Sequence, residues 1–169
     1  MDDLFFLLQQ SASLDDATVT QDLIREIWKE SSNSDLRDKL DQGIADMLEG
    51  RHESALKSFS DIVTIDSSYS EAWNKKSTVH YMLDQLHNSI EAAEKALSLD
   101  KRNFQALAGR GLLEMDASRY DKAIESFRKC LGINPWMGTV AARLCVCVEM
   151  QKDDVSKPPP NSNKGTTLK

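Results

Sequence analysis

Histidine and cysteine are the residues whose chemistry this chain could use, and it has three of each. The histidines are His52, His80 and His87, and none stands at a spacing from a cysteine or an aspartate that is typical of a catalytic triad or a metal site. Cys145 and Cys147 are two residues apart, so on a helix they point to different faces and are not expected to share a zinc ion. With Cys130 they make an odd number without framework spacing, which indicates reduced thiols in an intracellular compartment.

Acidic pairs and glycines do not form a catalytic or phosphate-binding motif either. Asp15-Asp16 stands where a helix is expected to begin and Asp153-Asp154 stands near the chain end, so helix capping or solvation explains both pairs. Gly109-Arg110-Gly111 falls inside a predicted helix and does not form a glycine-rich phosphate loop. We therefore predict that the protein is not an enzyme and binds neither a cofactor nor a metal.

The charge of the chain is acidic and unevenly distributed. A net charge of −6 without a basic stripe argues against nucleic acid as a partner. Residues 1–69 carry 15 acids and 6 bases, whereas residues 70–169 carry 12 acids and 15 bases. Such a dipolar chain could steer a partner or stack head to tail, and a solvated surface of drifting composition is the alternative.

Neither a secretion signal nor a membrane span is visible, because the apolar run from Leu4 to Leu8 is too short. We predict a soluble intracellular protein, with the cytoplasm as its compartment. The interior of an organelle such as a plastid is the alternative if a targeting segment is missing.

The elements that must position these side chains repeat every 34 residues. One column of small residues is Gly43, Ser77 and Gly111, and a second is Ala55, Ser89 and Ala123. Larger residues keep the same step in the columns Leu56/Ile90/Ile124, Phe59/Ala93/Phe127 and Val63/Leu97/Leu131. Each unit predicts an antiparallel helix pair, since two helices approach closely only where both contribute small side chains.

Local signals support helix boundaries in the same register. Capping boxes are predicted at Ser13…Asp16, Ser68…Glu71 and Ser118…Asp121, each opening a helix. Pro135 is expected to stop the second helix of the third pair.

These columns, with Trp73 and Leu107 early in the first helices and the closing Asn134-Pro135, resemble the tetratricopeptide repeat. The resemblance covers residues 36–137 and implies an all-α fold, a right-handed α-solenoid of three helix-turn-helix pairs with an N-terminal extra helix and a C-terminal capping helix. The repeats are predicted at residues 36–69, 70–103 and 104–137. The segments from Glu71 to Ser77 and from Arg102 to Gly111 are similar to small single-domain members of bacteria and plastid-bearing eukaryotes.

The two ends of the chain lie outside the repeats. Residues 1–35 are predicted as a helical extension in which a helix over 14–31 packs on the outside of the first repeat, with a short turn at Leu4 to Leu8. Residues 138–151 are predicted as a capping helix and residues 152–169 as a disordered tail. The capping helix is unusually apolar, so it is either buried within the chain or forms a dimer contact.

The resemblance implies a partner-binding groove on the inner face of the first helices. Its predicted residues are Leu40, Ile44, Met47, Asn74, Lys75, Thr78, Tyr81, Met82, Gln105, Leu112 and Met115. Chaperone-binding members of the family grip a terminal carboxylate with Lys, Asn and Arg side chains. The matching positions here are Leu40, Ile44, Lys75, Gln105 and Gly109, so a carboxylate clamp is not expected.

We therefore predict a non-catalytic adaptor, scaffold or assembly factor that binds another protein or peptide, with a helical segment as the favoured ligand. The methionines of the groove suit an adaptable surface. In an alternative, the chain's own N-terminal segment or tight packing between repeats fills the groove. A second alternative is a self-associating structural module that dimerises or stacks through the apolar last helix.

Overall fold

The computed structural model of the protein describes residues 1–31 and 33–156. Within these residues the chain forms nine α-helices and no β-strand, which confirms the predicted all-α class. The helices are α1 (Asp2–Gln10), α2 (Leu14–Lys29), α3 (Ser34–Leu48), α4 (His52–Ile65), α5 (Ser70–Met82), α6 (Leu86–Leu99), α7 (Phe104–Asp116), α8 (Tyr120–Ile133) and α9 (Gly138–Ser156).

Helices α3 to α8 form three pairs, α3 with α4, α5 with α6 and α7 with α8, and each pair packs on the next. The glycine column permits this close packing. A Cβ atom added to Gly43 would lie 2.7 Å from the ring of Phe59, and one added to Gly111 would lie 2.3 Å from the ring of Phe127. Both distances are shorter than any normal carbon contact, so a side chain at either glycine would displace a fully buried phenylalanine.

The middle pair uses a different combination of side chains at the same columns. Ser77 stands in the glycine column and Ala93 in the phenylalanine column. The hydroxyl of Ser77 donates to the carbonyl of Ser89 at 2.9 Å, and the hydroxyl of Ser89 donates to the carbonyl of Ser77 at 2.7 Å. Two reciprocal hydrogen bonds therefore join α5 to α6 where a glycine and a phenylalanine join the other pairs.

The first helix of every pair ends in the same turn. Gly50, Asp84 and Ser118 are 34 residues apart and all have positive φ, at 77°, 57° and 56°. The next N–H bonds back to the carbonyl five residues earlier, as in Arg51 to Asp46 at 2.8 Å, which is the Schellman arrangement. Ser118 therefore ends one helix and does not cap the next, and the capping box predicted there is wrong.

The turns between pairs are also repeated. The side chains of Asp66, Asp100 and Asn134 each accept a hydrogen bond from the N–H two residues later, at 2.9, 2.9 and 3.2 Å. Ser68 lies in the first of these turns and α5 begins only at Ser70 without a side-chain cap, so the box predicted at Ser68 is also wrong. At Ser13 the predicted N-cap is confirmed, because its hydroxyl accepts from the N–H of Asp16 at 3.1 Å, while the Asp16 carboxylate accepts from that hydroxyl at 2.7 Å.

The N-terminal segment folds as a hairpin of two helices, α1 and α2, where one helix and a short turn were predicted. It does not pack on the outside of the first repeat. Phe5, Leu8 and Trp28 belong to the hydrophobic core of the second and third pairs, whereas the core of α3 and α4 forms a separate cluster. The predicted position is therefore wrong: Lys29 and Glu30 form ion pairs with α3, but the apolar side of the hairpin docks farther along the chain.

Polar contacts hold the hairpin at the turns between pairs. The indole N–H of Trp28 donates to the carboxylate of Asp100 at 2.8 Å, and that of Trp136 donates to the carbonyl of Leu8 at 3.1 Å. The guanidinium of Arg102 pairs with Asp2 at 2.5 Å and lies over the ring of Phe5. The hairpin thus spans the turns before α7 and α9 and ties the end of the solenoid to its beginning.

The last helix packs on α8 through Val140 and Cys147, which are both buried. The prediction of a capping helix over residues 138–151 is too short, because α9 continues to Ser156. The predicted disordered tail, 152–169, therefore begins inside a helix, and its residues 157–169 lie outside the described residues. Over residues 1–31 and 33–156, we find no helix with the length and hydropathy needed to cross a membrane.

Candidate binding groove between α5 and α7

A pocket opens between α5 and α7 on the face formed by the first helices of the pairs, which we call the groove face (α3, α5 and α7). It encloses ≈ 100 Å³, and its walls are mainly apolar. The lining residues are Asn74, Ser77, Thr78, Tyr81, Ser89, Ala106, Gly109, Leu112 and Leu113. Clefts for drug-sized ligands hold about 300–1,000 Å³. This pocket is therefore sized for one side chain.

The pocket borders the pair in which the residue of the phenylalanine column changes. Phe59 and Phe127 each fill the space beside a glycine in their own pairs, and both are fully buried. The middle pair has Ala93 at that column, and two small residues of the same pair, Ser77 and Ser89, line the pocket. Replacing a phenylalanine ring by a methyl group leaves space that neighbouring side chains fill only in part.

One edge of the pocket is closed by Tyr81. Its hydroxyl donates to the carboxylate of Asp116 at 2.6 Å, and this hydrogen bond raises the pKa of Tyr81 above its ordinary value. Burial and the negative charge of Asp116 act in the same direction. Tyr81 is still 38 % exposed, so a ligand can reach its ring. A second depression lies beyond the ring and is lined by Tyr81, Asp84, Leu86 and Asp116.

The residues predicted from the first pair do not line this pocket. Leu40 is fully buried in the core of α3 and α4, and its prediction as a groove residue is wrong. Ile44 and Met47 are half-buried and pack against the same core. Their side chains hold the first pair together, and so the accessible part of the groove face is shifted to the second and third pairs.

Two predicted residues on α5 belong to a buried polar network. The carboxylate of Glu71 accepts from the amide of Asn74 at 3.0 Å and from Asn103 at 3.3 Å, and it pairs with the ammonium of Lys75 at 2.9 Å. Asn103 in turn caps α7 by accepting from the N–H of Ala106. Because Glu71 neutralises Lys75, this lysine is not a free cation for a ligand carboxylate.

The other predicted residues fall into four places. Thr78 and Leu112 line the pocket, and Met82 is exposed at the end of α5. Gln105 is half-buried near the beginning of α7, with a buried carbonyl oxygen that has no hydrogen-bond partner. Met115 is half-buried and packs against the large core. The structure thus brings Asn74, Thr78, Tyr81 and Leu112 together and separates them from the remaining predicted positions.

Sequence reasoning missed the pocket walls contributed by the small columns. Ser77 and Ser89 appear in the sequence as helix-packing residues. The available signal was the single alanine, Ala93, in a column that is otherwise phenylalanine.

A polar column was also missed. Asp46, His80 and Glu114 are 34 residues apart and are all buried. Each bonds to the residue five positions later: Asp46 to Arg51 at 2.6 Å, His80 to Gln85 at 2.7 Å and Glu114 to Arg119. Since these groups pair locally within a turn, the column is structural. In the described part of the chain, no cluster of histidine, cysteine and acidic residues could hold a metal ion.

Comparison with known proteins agrees with this architecture. The family model of the tetratricopeptide repeat matches residues 70–103 and 104–135. These are the second and third predicted repeats, nearly to the residue. The first predicted repeat, 36–69, is outside the matched residues, and its boundaries remain a prediction.

Curated relatives extend the similarity beyond the matched repeats. A TPR repeat-containing protein of Rhizobium etli is 22 % identical over 135 residues, which is 80 % of this chain and 66 % of the relative. The peptidyl-prolyl cis-trans isomerase FKBP4 of Bos taurus is 26 % identical over 151 residues, or 79 % of this chain and 33 % of the relative. The chain thus spans about two thirds of the first relative and one third of the second.

A solved structure has the same fold. The first TPR domain of Spaghetti (RPAP3), bound to an HSP90 peptide, superposes with a TM-score of 0.67 at 12 % sequence identity. The match covers 69 % of this chain and 93 % of that domain. The family model identifies residues 70–135 as two tetratricopeptide repeats, and the superposition shows that the chain has the fold of tetratricopeptide-repeat domains.

Proposed function

We propose that this protein is a non-catalytic adaptor that binds a helical segment of another protein along the groove face between α5 and α7. The observation that supports this most is the pocket between the two helices, because it is apolar, open and large enough for one side chain. Protein interfaces draw much of their affinity from a few side chains that fill such pockets. Tyr81 and Leu112 at its edge offer further apolar contact.

The ligand is proposed to be bound through its side chains and not through a terminal carboxylate. The Spaghetti domain is described as bound to the HSP90 peptide SRMEEVD, so this fold can hold a peptide. In the present chain Leu40 is buried, Lys75 is paired with Glu71, and Gly109 has no side chain to contribute. These positions therefore favour an internal helical segment with an exposed large apolar residue.

A second candidate function is self-association through α9. Val146 and Met150 are 54 % and 43 % exposed on the side of α9 that faces away from α8, and Ala142 and Cys145 are exposed on the same side. In each of the three pairs, the second helix covers the corresponding surface of the first helix. Measuring the mass of the protein as a function of concentration separates this candidate from the adaptor.

The adaptor proposal is tested by comparing what wild type and the double variant Tyr81→Glu/Leu112→Glu capture from extracts of the native source. We expect the variant to fold and to lose the partner, since two carboxylates at the pocket edge cannot be buried against an apolar side chain without a large desolvation penalty. The matched control is Ile65→Glu/Leu99→Glu, which adds the same charge at exposed ends of α4 and α6. Equal capture by all three proteins would refute the groove.

A further inference from the structure

The outward surface of the N-terminal hairpin is unusually apolar. Among the described residues, seven of the fourteen exposed large hydrophobic side chains lie within the first 29 positions. They are Met1, Phe6, Leu7, Leu14, Val19, Leu23 and Ile27. Scattered exposed apolar residues are normal, but a concentration of them on one small element marks an interaction surface.

Three of these residues form a continuous stripe along α2. Val19, Leu23 and Ile27 are four residues apart, which places them one above the other on one side of a helix, and they are 62 %, 51 % and 41 % exposed. Another side of α2 is already occupied, since Ala17, Gln21, Ile24 and Trp28 are buried. Docking of the hairpin onto the solenoid therefore does not account for the stripe.

The charged residues that border the stripe are acidic. Positions three residues from a member of the stripe hold Asp16, Asp22, Glu26 and Glu30, and Asp15 is four residues before Val19. The only bases on α2 are Arg25 and Lys29, which pair with Asp22 and Glu26 at 2.7 and 2.8 Å. Arg37 of α3 pairs with Glu30 at 3.1 Å, so three bases stand against five acids. The border therefore keeps a net negative charge.

This combination selects one kind of occupant. A second copy pairing through the same stripe would bring the acidic borders together, which is unfavourable for like charges. A membrane surface with anionic lipids repels the same border. A helix with an apolar stripe flanked by lysine or arginine satisfies both features at once, because its apolar residues cover the stripe and its bases meet the acids.

We propose that the outer face of α2, built on Val19, Leu23 and Ile27, is a second docking site, which takes a basic amphipathic helix of another protein. This site is separate from the pocket between α5 and α7, to which none of its residues contributes. This proposal does not depend on the groove, so a result that refutes one of the two sites leaves the other proposal intact.

The test uses three synthetic helical peptides of about 18 residues, or five turns, that share one leucine stripe. Lysine flanks the stripe in the first, glutamate in the second and glutamine in the third. Their binding to the whole protein is measured by fluorescence anisotropy. We expect the lysine peptide to bind with one-to-one stoichiometry, about tenfold or more tightly than the glutamate peptide, and to weaken as salt is added.

Variants locate the site. Leu23→Ser is expected to weaken binding of the lysine peptide about tenfold. Val146→Ser, which removes an exposed apolar side chain from α9, is expected to leave that binding unchanged. The double variant Asp22→Lys/Glu26→Lys is expected to reverse the preference toward the glutamate peptide. All of these positions are exposed, so the variants keep the core. The proposal would be overturned if the lysine and glutamate peptides bound equally, or if Leu23→Ser bound the lysine peptide as tightly as wild type does. A dimer abolished by Leu23→Ser would overturn it in favour of a second copy.

Discussion

The hydroxyl of Tyr81 donates a 2.6 Å hydrogen bond to the carboxylate of Asp116, which joins the ends of α5 and α7 beside the pocket. The two residues are 35 positions apart, one more than the repeat. This bond fixes the tyrosine ring at the pocket edge while leaving its face open to solvent. The groove proposed for a partner helix thus has one wall whose position depends on a single hydrogen bond.

The first prediction concerns this bond. Asp116→Asn should lower the pKa of Tyr81 toward its ordinary value of 10.0, because the variant removes both a charged hydrogen-bond acceptor and a negative charge that opposes ionisation. Ultraviolet titration of the tyrosines measures the change. Tyr69, whose pKa burial raises to about 12, is the internal reference and should not move. An unchanged titration of Tyr81 would contradict the observed geometry.

A second prediction compares two glycines on one helix. Gly111→Ala should destabilise the protein by about 1–3 kcal/mol, because the added Cβ would lie 2.3 Å from the ring of Phe127. Gly109→Ala should stabilise it by about 0.5–1 kcal/mol, since no atom lies within 4 Å and alanine is the better helix former. Denaturant unfolding gives both values. A shift of the same sign in both variants would argue against the packing of α7 on α8.

A third prediction tests the docking of the N-terminal hairpin by substituting two adjacent leucines of α1. Leu8→Ala should reduce the free energy of unfolding by about 2–5 kcal/mol, because Leu8 is fully buried against the large core. Leu7→Ala should change it by less than about 0.5 kcal/mol, since Leu7 is 53 % exposed. If both variants were equally stable, α1 would not be packed on the second and third pairs.

A fourth prediction uses the three cysteines to check the face that α9 presents. Cys130 and Cys147 are buried, and burial raises the pKa of the Cys130 thiol to about 12 and also raises that of Cys147. Both therefore remain protonated at pH 8, and a thiol reagent should modify exposed Cys145 alone in the native protein. Mass spectrometry counts the modified thiols. Rapid modification of Cys147 would mean that α9 is turned about its axis.

The repeat could be predicted from the sequence because its determinants are local and periodic. The columns that contain Gly43 and Phe59 indicate which residue types are in contact within each pair, and the 34-residue spacing indicates where each pair begins. The same arithmetic would have found the polar column of Asp46, since it obeys the same spacing.

Other features depend on contacts between distant parts of the chain. The position of the hairpin depends on the contacts of Trp28 with Phe104 and Asp100. The local sequence pattern of α2 does not indicate which hydrophobic core the helix packs against. The capping box at Ser118 failed because Ser118 takes a left-handed conformation that ends the preceding helix, and the box at Ser68 failed because Ser68 lies in the turn before α5. The pocket was not predicted because it is a space between α5 and α7, which a list of side chains does not show.

Filling the pocket is the most direct test of the binding function. The double variant Ser77→Gly/Ala93→Phe gives the middle pair the same glycine and phenylalanine as the other two pairs, and it adds no charge at the surface. The quantity to measure is the amount of partner that wild type and this variant capture from extracts, with the melting temperature as the control for folding. We predict that the variant still unfolds cooperatively, at a melting temperature that keeps it folded during the capture experiment, and that partner capture is lost. Undiminished capture by the folded variant would contradict the proposal that a partner side chain enters the pocket.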